Sequence, residues 1–306
     1  MILRRLLVSS MMLAIVLSTM ACARMERRNL APLNTPTMEK GTGYAPGDYF
    51  EELTVADEVR HYRLHIPPSY KPNQPLPLVI NLHGLNSNAA QQEQVSQMSV
   101  KADQMGFVVV YPEGRGQPQT WYIGPGAEGA ADLQFMHDLV THLQGQLSLD
   151  PTRIYATGMS NGAQMSNRLG CTMADVFAAI APVSGGYPTL DNCHPTQPVP
   201  VVAFHGTADK LLPYQGQGRL LLPVPDWAAA WATRNGCEAT PSTTFHQGEV
   251  TGQTWSHCQA NADVVLYTIQ GRGHSWPGSS MPPDITTQDI NATDVIWEFF
   301  AAHPMR

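Results

Sequence analysis

A short apolar run that ends in Gly-x-Ser-x-Gly constrains the fold more than any other part of this 306-residue chain. The run covers residues 153–159, Ser160 is the central serine, and a helix is expected to begin directly after it. Such a strand-to-helix turn holds a serine hydroxyl above the edge of a sheet. Gly158 and Gly162 keep side chains out of the crowded turn. An exposed serine in any glycine-rich turn would show the same pattern, so the interpretation depends on the rest of the chain.

The first 23 residues are typical of a bacterial signal peptide, because two arginines precede a short apolar run and a stretch of small residues ends it. Two processing routes fit the sequence: cleavage before Arg24, or lipidation at Cys22 in a motif that resembles a lipobox. Either route exports the protein to the periplasm, the exterior or the cell envelope. Residues 24–48 are polar and rich in Pro, Gly and Thr, which predicts a flexible arm before a catalytic domain at 49–306.

Charge and composition exclude some partners. Removing the leader takes away two arginines and changes the formal net charge from −7 to −9. An acidic chain without a Lys/Arg-rich run is not expected to bind nucleic acid, and a membrane contact is expected only through a lipid on Cys22. No spacing typical of a metal or cofactor site occurs, so we expect neither metal nor cofactor. The sequence leaves the oligomeric state open.

Four cysteines remain after the leader: Cys171, Cys193, Cys237 and Cys258. An even number of cysteines in an exported chain predicts two disulfides, for which three pairings are possible. We favour the two local pairings, 171–193 and 237–258.

Apolar runs and helical patterns alternate along the chain, which predicts a doubly wound, mostly parallel sheet with helices on both faces. One helix is expected over 88–105, with Met105 inward, and another from a cap at Asp226. Further helices are expected at 132–147, after Ser160 and after Asn291. Strands are expected at 59–66, 76–82, 107–111, 176–183, 199–204 and 264–269.

Three potential catalytic residues follow strands in the order Ser160, Asp209, His274. In a doubly wound sheet, reactive groups lie in the loops beyond the carboxyl ends of the strands. This order of serine, acid and histidine is the one found in α/β-hydrolases. The histidine would take the proton of the serine, while the aspartate would orient the imidazole and stabilise its charged form.

A tetrahedral oxyanion also needs hydrogen-bond donors, and we expect them to be the backbone amides of Asn161 and Leu85. Trp121 and Trp276 lie in loops near the predicted site and are candidate substrate contacts. Asp175 and Asp263 are weaker candidates for the acid because neither follows a strand. His83 and His205 are expected to orient loops.

Four segments carry a resemblance to a known family: 82–84, 157–162, 204–209 and 273–278. With the segment 226–237 they resemble the polyhydroxybutyrate depolymerase and feruloyl esterase family of secreted α/β-hydrolases, in order over residues 49–302. The resemblance implies ester hydrolysis through an acyl-enzyme, with Ser160, Asp209 and His274 at the triad positions. It also supports both local disulfides.

Family members differ in substrate, so the resemblance leaves open feruloyl or acetyl esters and short hydroxyalkanoate oligomers. Two other readings remain from the sequence. One is a serine peptidase of the same fold, and the other is a non-catalytic binding protein on a hydrolase scaffold.

Overall fold

The computed structural model describes residues 43–188 and 193–305. The predicted leader and Cys22 lie outside these residues. The helices are α1 Ala89–Ser96, α2 Met98–Met105, α3 Ala127–Gln146, α4 Asn161–Thr172, α5 Val224–Arg234 and α6 Ala292–Ala302. The strands are β1 Gly47–Val55, β2 Glu58–Ile66, β3 Leu76–Leu82, β4 Val108–Pro112, β5 Leu149–Met159, β6 Ala179–Val183, β7 Val201–Gly206, β8 Ser242–Gln247, β9 Val250–Trp255 and β10 Val264–Ile269.

The strands of these described ranges form one ten-stranded sheet in the order β1-β2-β4-β3-β5-β6-β7-β10-β9-β8. The six central strands run parallel, and in space they follow the order β4, β3, β5, β6, β7, β10. Antiparallel strands flank them on both sides. Every residue of β3, β4, β6 and β7 is buried, as expected for parallel strands that are covered on both faces.

Helices cover both faces of the sheet. One apolar cluster joins the sheet to α3, α4 and α5, and includes Met136, Leu169 and Trp231. The other cluster joins the opposite face to α2 and α6, and includes Met98 and Phe300. The predicted doubly wound architecture is therefore confirmed. Among the described residues, no helix combines the length and apolar character needed to cross a membrane.

The single helix expected over 88–105 is wrong. The chain breaks at Gln97, which has φ +52°, and α1 and α2 lie on either side. Ser96 explains the break, because its hydroxyl accepts from Asn81 and its carbonyl accepts from Thr293 on α6. That carbonyl is tied to a distant element instead of continuing a helical ladder. Met105, predicted to face inward, is 50 % exposed.

Other boundaries also differ from the sequence prediction. Asp226 does not cap α5: Pro223 stands at that position, and Asp226 lies in the first turn. The helix expected over 132–147 begins five residues earlier, at Ala127. The folded chain reaches into the predicted arm, since β1 begins at Gly47 and Tyr44 is buried against Tyr49.

Both predicted disulfides are formed, Cys171–Cys193 and Cys237–Cys258. The first anchors the last turn of α4, and the second joins the chain after α5 to the segment after β9. Sequence separations of 22 and 21 correspond to about 3 kcal/mol each in the chain-entropy account of cross-linking. Two disulfides indicate an exported protein.

His65 on β2 connects β1 and α2 at the side of the sheet that ends in β1. His65 Nδ1 lies 2.6 Å from Asp48 on β1, and Nε2 lies 2.8 Å from Asp103 on α2. Burial lowers the pKa of His65, but the hydrogen bonds to both carboxylates outweigh burial and raise its pKa overall. The hydrogen bond from His65 in turn lowers the pKa of Asp48.

This contact predicts a pH-dependent contribution to stability. A histidine whose pKa is higher in the folded than in the unfolded protein stabilises the fold. This contribution is complete when the pH is below the unfolded pKa, and it is lost as the pH rises through the folded pKa. We therefore expect His65→Gln to lower the free energy of unfolding by about 1 kcal/mol at pH 5.5 and by less at pH 8.5. Urea unfolding at both pH values measures this, with exposed His61→Gln as the control. An equal loss for His65→Gln at the two pH values would contradict the assignment.

Candidate active site

The turn between β5 and α4 holds Ser160 in an unusual backbone conformation. Its φ is +59° and its ψ is −118°, in the region that a side-chain-bearing residue rarely adopts. The two flanking glycines make the turn possible. A Cβ on Gly158 would lie 2.5 Å from the carbonyl oxygen of Leu82, and a Cβ on Gly162 would collide with the same oxygen. The elbow therefore packs directly on the end of β3, and the two glycines keep side chains out of the crowded turn, as the Gly-x-Ser-x-Gly pattern predicted.

Asp209 and His274 meet at the same edge of the sheet. Asp209 follows β7 and His274 follows β10, and these two strands pair in parallel. His274 Nδ1 lies 2.7 Å from Asp209 Oδ2. An ionised carboxylate only accepts hydrogen bonds, so Nδ1 carries the proton and the lone pair stays on Nε2. This is the tautomer that a general base needs.

The Asp209 carboxylate is buried and well supplied with donors. The backbone amides of Leu211 and Leu212 both donate to Oδ1 at 2.9 Å. Burial raises the pKa of Asp209, but hydrogen bonds from His205 and His274 outweigh burial and hold the pKa well below its usual range. Asp209 is therefore ionised throughout the pH range in which a histidine can act as a base.

A short chain of contacts ties the histidine loop to the elbow. The Ser160 amide donates to the Val183 carbonyl at the end of β6. The next residue, Ser184, donates from Oγ to the carbonyl of Ser275 at 2.9 Å, and Ser275 follows His274. No hydrogen bond joins Ser160 Oγ to His274 within the residues described. Catalytic hydrogen bonds are often long in a free enzyme and tighten when substrate binds.

The loop after β3 lies against the elbow. A Cβ on Gly84 would be 3.4 Å from Ser160 Cβ. His83 holds the loop, because Gly114 donates to its Nε2 at 2.8 Å and its Nδ1 donates to the Gly84 carbonyl at 2.7 Å. Its Nε2 also lies 3.8 Å from a Glu113 oxygen, but this nitrogen accepts a hydrogen bond, and burial lowers the pKa of His83, so the ring is neutral and forms no ion pair.

Both amides expected to bind an oxyanion are open. A trans peptide points its N–H and C=O in opposite directions, so the Gly84 carbonyl held by His83 turns the Leu85 amide the other way. Across the described ranges, neither the Leu85 amide nor the Asn161 amide donates a hydrogen bond to the protein. The Asn161 amide belongs to the first turn of α4, whose amides have no helical partner.

The side chain of Asn161 has a structural task that the sequence did not reveal. Its Oδ1 accepts from the Trp121 amide at 2.7 Å, and its Nδ2 donates to the Trp121 carbonyl at 3.0 Å. The loop between β4 and α3 is thereby fixed beside the elbow. Asp132 holds the next residue of this loop through the Tyr122 amide, and forms a buried ion pair with Arg60 at 3.0 Å.

Neither tryptophan proposed from the sequence faces the site. Trp121 and Trp276 are each 1 % exposed. The Trp121 indole donates to the His83 carbonyl, and the Trp276 indole donates to Thr293 on α6. A fully buried ring with its N–H already paired has no surface for substrate. The predicted substrate contacts through Trp121 and Trp276 are therefore not supported by the structure.

The rival acids lie elsewhere. Asp263 directly precedes β10 and so lies at the amino end of this strand, whereas His274 follows its carboxyl end. Asp175 is exposed after α4.

Within 43–188 and 193–305, no three His, Cys, Asp or Glu side chains are grouped to hold a metal ion. A cavity of about 510 Å³ lies along α4 and begins at Gln164, one helical turn beyond Ser160.

Comparisons with known proteins identify the family that this chain resembles. The family described as "Esterase PHB depolymerase" matches residues 60–194. Feruloyl esterase B of Piromyces equi is 32 % identical over 72 % of this chain, which spans 44 % of that relative's length. Putative esterase NocK of Nocardia uniformis subsp. tsuyamanensis is 29 % identical over 90 % of both chains.

A comparison of structures supports the fold. The acetyl xylan esterase from Aspergillus awamori superposes with a TM-score of 0.63 and 16 % identity, over 82 % of this chain and 98 % of that one. This likeness confirms the α/β-hydrolase fold predicted from the sequence. The family match and the curated relatives lead to one assignment: residues 60–194 belong to the family described as "Esterase PHB depolymerase", and the chain as a whole is similar to curated esterases.

Proposed function

We propose that this protein is an exported serine carboxylic ester hydrolase with Ser160 as nucleophile, His274 as general base and Asp209 as the residue that orients His274. The observation that carries the proposal is the 2.7 Å hydrogen bond from His274 to a buried, ionised Asp209 at the sheet edge that also holds the Ser160 elbow. A serine hydroxyl is a weak nucleophile until a base takes its proton, and this pair provides an oriented base.

The reaction proceeds in two halves. His274 Nε2 takes the Ser160 proton while Oγ bonds to the ester carbonyl carbon, and the resulting oxyanion accepts hydrogen bonds from the Asn161 and Leu85 amides. When the carbonyl re-forms, the ester C–O bond breaks and His274 returns the proton to the leaving alcohol. Water then gives a proton to His274 Nε2 while its oxygen bonds to the acyl carbon. The bond between that carbon and Ser160 Oγ breaks, His274 returns the proton to Oγ, and the carboxylic acid is released.

The substrate class is proposed from the relatives. A feruloyl esterase, a bifunctional acetylxylan esterase/xylanase from Neocallimastix patriciarum and a poly(3-hydroxyalkanoate) depolymerase from Paucimonas lemoignei all resemble this chain. We propose feruloyl or acetyl esters, or short hydroxyalkanoate oligomers, as substrates. We also propose that residues 1–23 direct export, and that the mature protein is either free or anchored by a lipid on Cys22.

A panel of soluble esters tests the function. Purified protein is expected to hydrolyse p-nitrophenyl acetate, with the rate falling at acidic pH because a protonated His274 cannot accept the serine proton. Methyl ferulate, acetylated xylo-oligosaccharides and hydroxybutyrate dimers then distinguish the three substrate classes by kcat/KM. Cleavage of peptides without cleavage of any ester would instead show a peptidase, and turnover of neither would refute catalysis.

A further inference from the structure

A second histidine contacts the candidate catalytic aspartate. His205, at the end of β7, is 1 % exposed. Its Nε2 lies 2.8 Å from the Leu212 carbonyl oxygen and 3.4 Å from Asp209 Oδ2. Both atoms accept hydrogen bonds and neither donates, so Nε2 must carry a proton. This N–H therefore donates mainly to the Leu212 carbonyl in the turn that follows Asp209, and is shared with the carboxylate through a longer second contact at 3.4 Å.

The other ring nitrogen of His205 defines its protonation state. Nδ1 is buried and has no hydrogen-bond partner in the part of the chain that the structure describes. A proton there would be a buried donor without an acceptor, which is more unfavourable than an unused lone pair. The Tyr214 ring packs edge-to-face with the imidazole at 5.9 Å between centroids, and its hydroxyl is hydrogen-bonded to Thr268. His205 is thus a neutral imidazole with its proton on Nε2.

The donors to Asp209 divide between its two oxygens. Oδ1 accepts the amides of Leu211 and Leu212, while Oδ2 accepts His274 and faces His205. His205 therefore acts on the oxygen that holds the proposed general base. The other cations nearby do not reach the carboxylate: Lys210 is exposed, and the Arg272 guanidinium is bound to Glu249 at 2.7 Å.

We propose that His205 is a positioning residue that acts through Asp209. Its shared N–H fixes the angle of the carboxylate towards His274 and takes up part of the negative charge on Oδ2. Within the described residues, only backbone amides hold Asp209 Oδ1. Without His205, the sole partner of Oδ2 among these residues would be His274, which is the ring that Asp209 is proposed to orient. This inference rests on the proposed function, because it assigns a task within that reaction.

The length of the side chain allows a matched set of variants. Glutamine places an amide N–H₂ three bonds from Cβ, as histidine places Nε2, whereas asparagine places it at the position of Nδ1. His205→Gln should therefore keep kcat within about threefold of wild type, while His205→Asn and His205→Leu should lower kcat about 10- to 100-fold, the effect of losing a hydrogen bond to a charged group. KM should change little, because His205 does not touch substrate.

The pH profile separates positioning from a merely structural role. Without the shared N–H, Asp209 interacts more strongly with the charged form of His274, so the acidic limb of kcat/KM should move to higher pH in His205→Asn and His205→Leu and stay in place in His205→Gln. Rates are corrected for the folded fraction from thermal unfolding, and exposed His137→Gln is the control. Equal kcat and identical pH profiles for all three His205 variants would overturn the inference.

A measurement on the wild type does not depend on any variant folding. In protein labelled with ¹⁵N-histidine, the His205 side chain should show a protonated Nε2 and an unprotonated Nδ1 at the pH of maximal esterase activity. A proton on Nδ1 would overturn the inference even if the esterase is active. A wild-type enzyme that hydrolyses no ester would refute the proposed function, and the role of His205 in that reaction would fall as well. An active enzyme with the proton on Nδ1 would refute only the role of His205.

Discussion

Replacing Ser160 by alanine is expected to abolish ester hydrolysis, lowering kcat about a million-fold, the effect of removing the nucleophile in other serine hydrolases. The oxyanion donors and the His274–Asp209 pair remain in this variant. Any residual rate comes from them and from substrate binding, which is why the loss has a limit. Turnover of p-nitrophenyl acetate by purified protein, with active-site titration of the wild type, measures the effect.

The control is a serine that lies far from the elbow. Ser242 is exposed at the start of the edge strand β8, and Ser242→Ala should match wild type in rate and in unfolding temperature. Because Ser160 is partly exposed and its hydroxyl makes no hydrogen bond in the described structure, Ser160→Ala should fold normally. A folded Ser160→Ala variant that retains even a tenth of the wild-type rate would contradict the assignment.

Asp209→Asn is expected to lower kcat about ten-thousand-fold, as the equivalent change does in other serine hydrolases. Asparagine can still accept from Leu211 and Leu212 through its oxygen, which turns its N–H₂ group towards His274. An N–H₂ donor facing Nδ1 forces the imidazole to accept there and to carry its proton on Nε2. That tautomer cannot take the Ser160 proton.

The comparison variant is Asp138→Asn on α3, since this carboxylate is remote from the site and pairs with exposed His137. It should have the wild-type rate. The effect of Asp209→Asn should be on kcat, with KM almost unchanged, because the aspartate is buried behind the imidazole. A loss smaller than tenfold would show that another group orients His274.

The elements that position the site could be predicted from the sequence because their signals are local. Uninterrupted apolar runs located β3 and β10 to the residue. The Gly-x-Ser-x-Gly pattern marked the elbow, because the two glycines are needed where a Cβ would meet the end of β3. Asp209 and His274 were found because both follow predicted parallel strands, whose carboxyl ends meet at one edge of the sheet.

The missed features depend on contacts between distant residues. The break at Gln97 follows from a hydrogen bond between Ser96 and Thr293, which are 197 residues apart. Trp121 is buried because Asn161 clamps its backbone and its indole reaches the His83 carbonyl. The hairpin β8–β9 gave no signal, since exposed polar residues dominate β8. Periodicity within a segment carries no information on such partners.

The central claim is that Ser160, activated by His274 and Asp209, forms a covalent bond with the acyl carbon of an ester. A fluorophosphonate inhibitor reports this nucleophile directly, since it bonds to an activated serine oxygen and mimics the tetrahedral intermediate. Peptide mapping by mass spectrometry after treatment should find one adduct, on Ser160, that forms in parallel with the loss of esterase activity and is absent from Asp209→Asn over the same time. An adduct on a different residue, or loss of activity without modification of Ser160, would contradict the account.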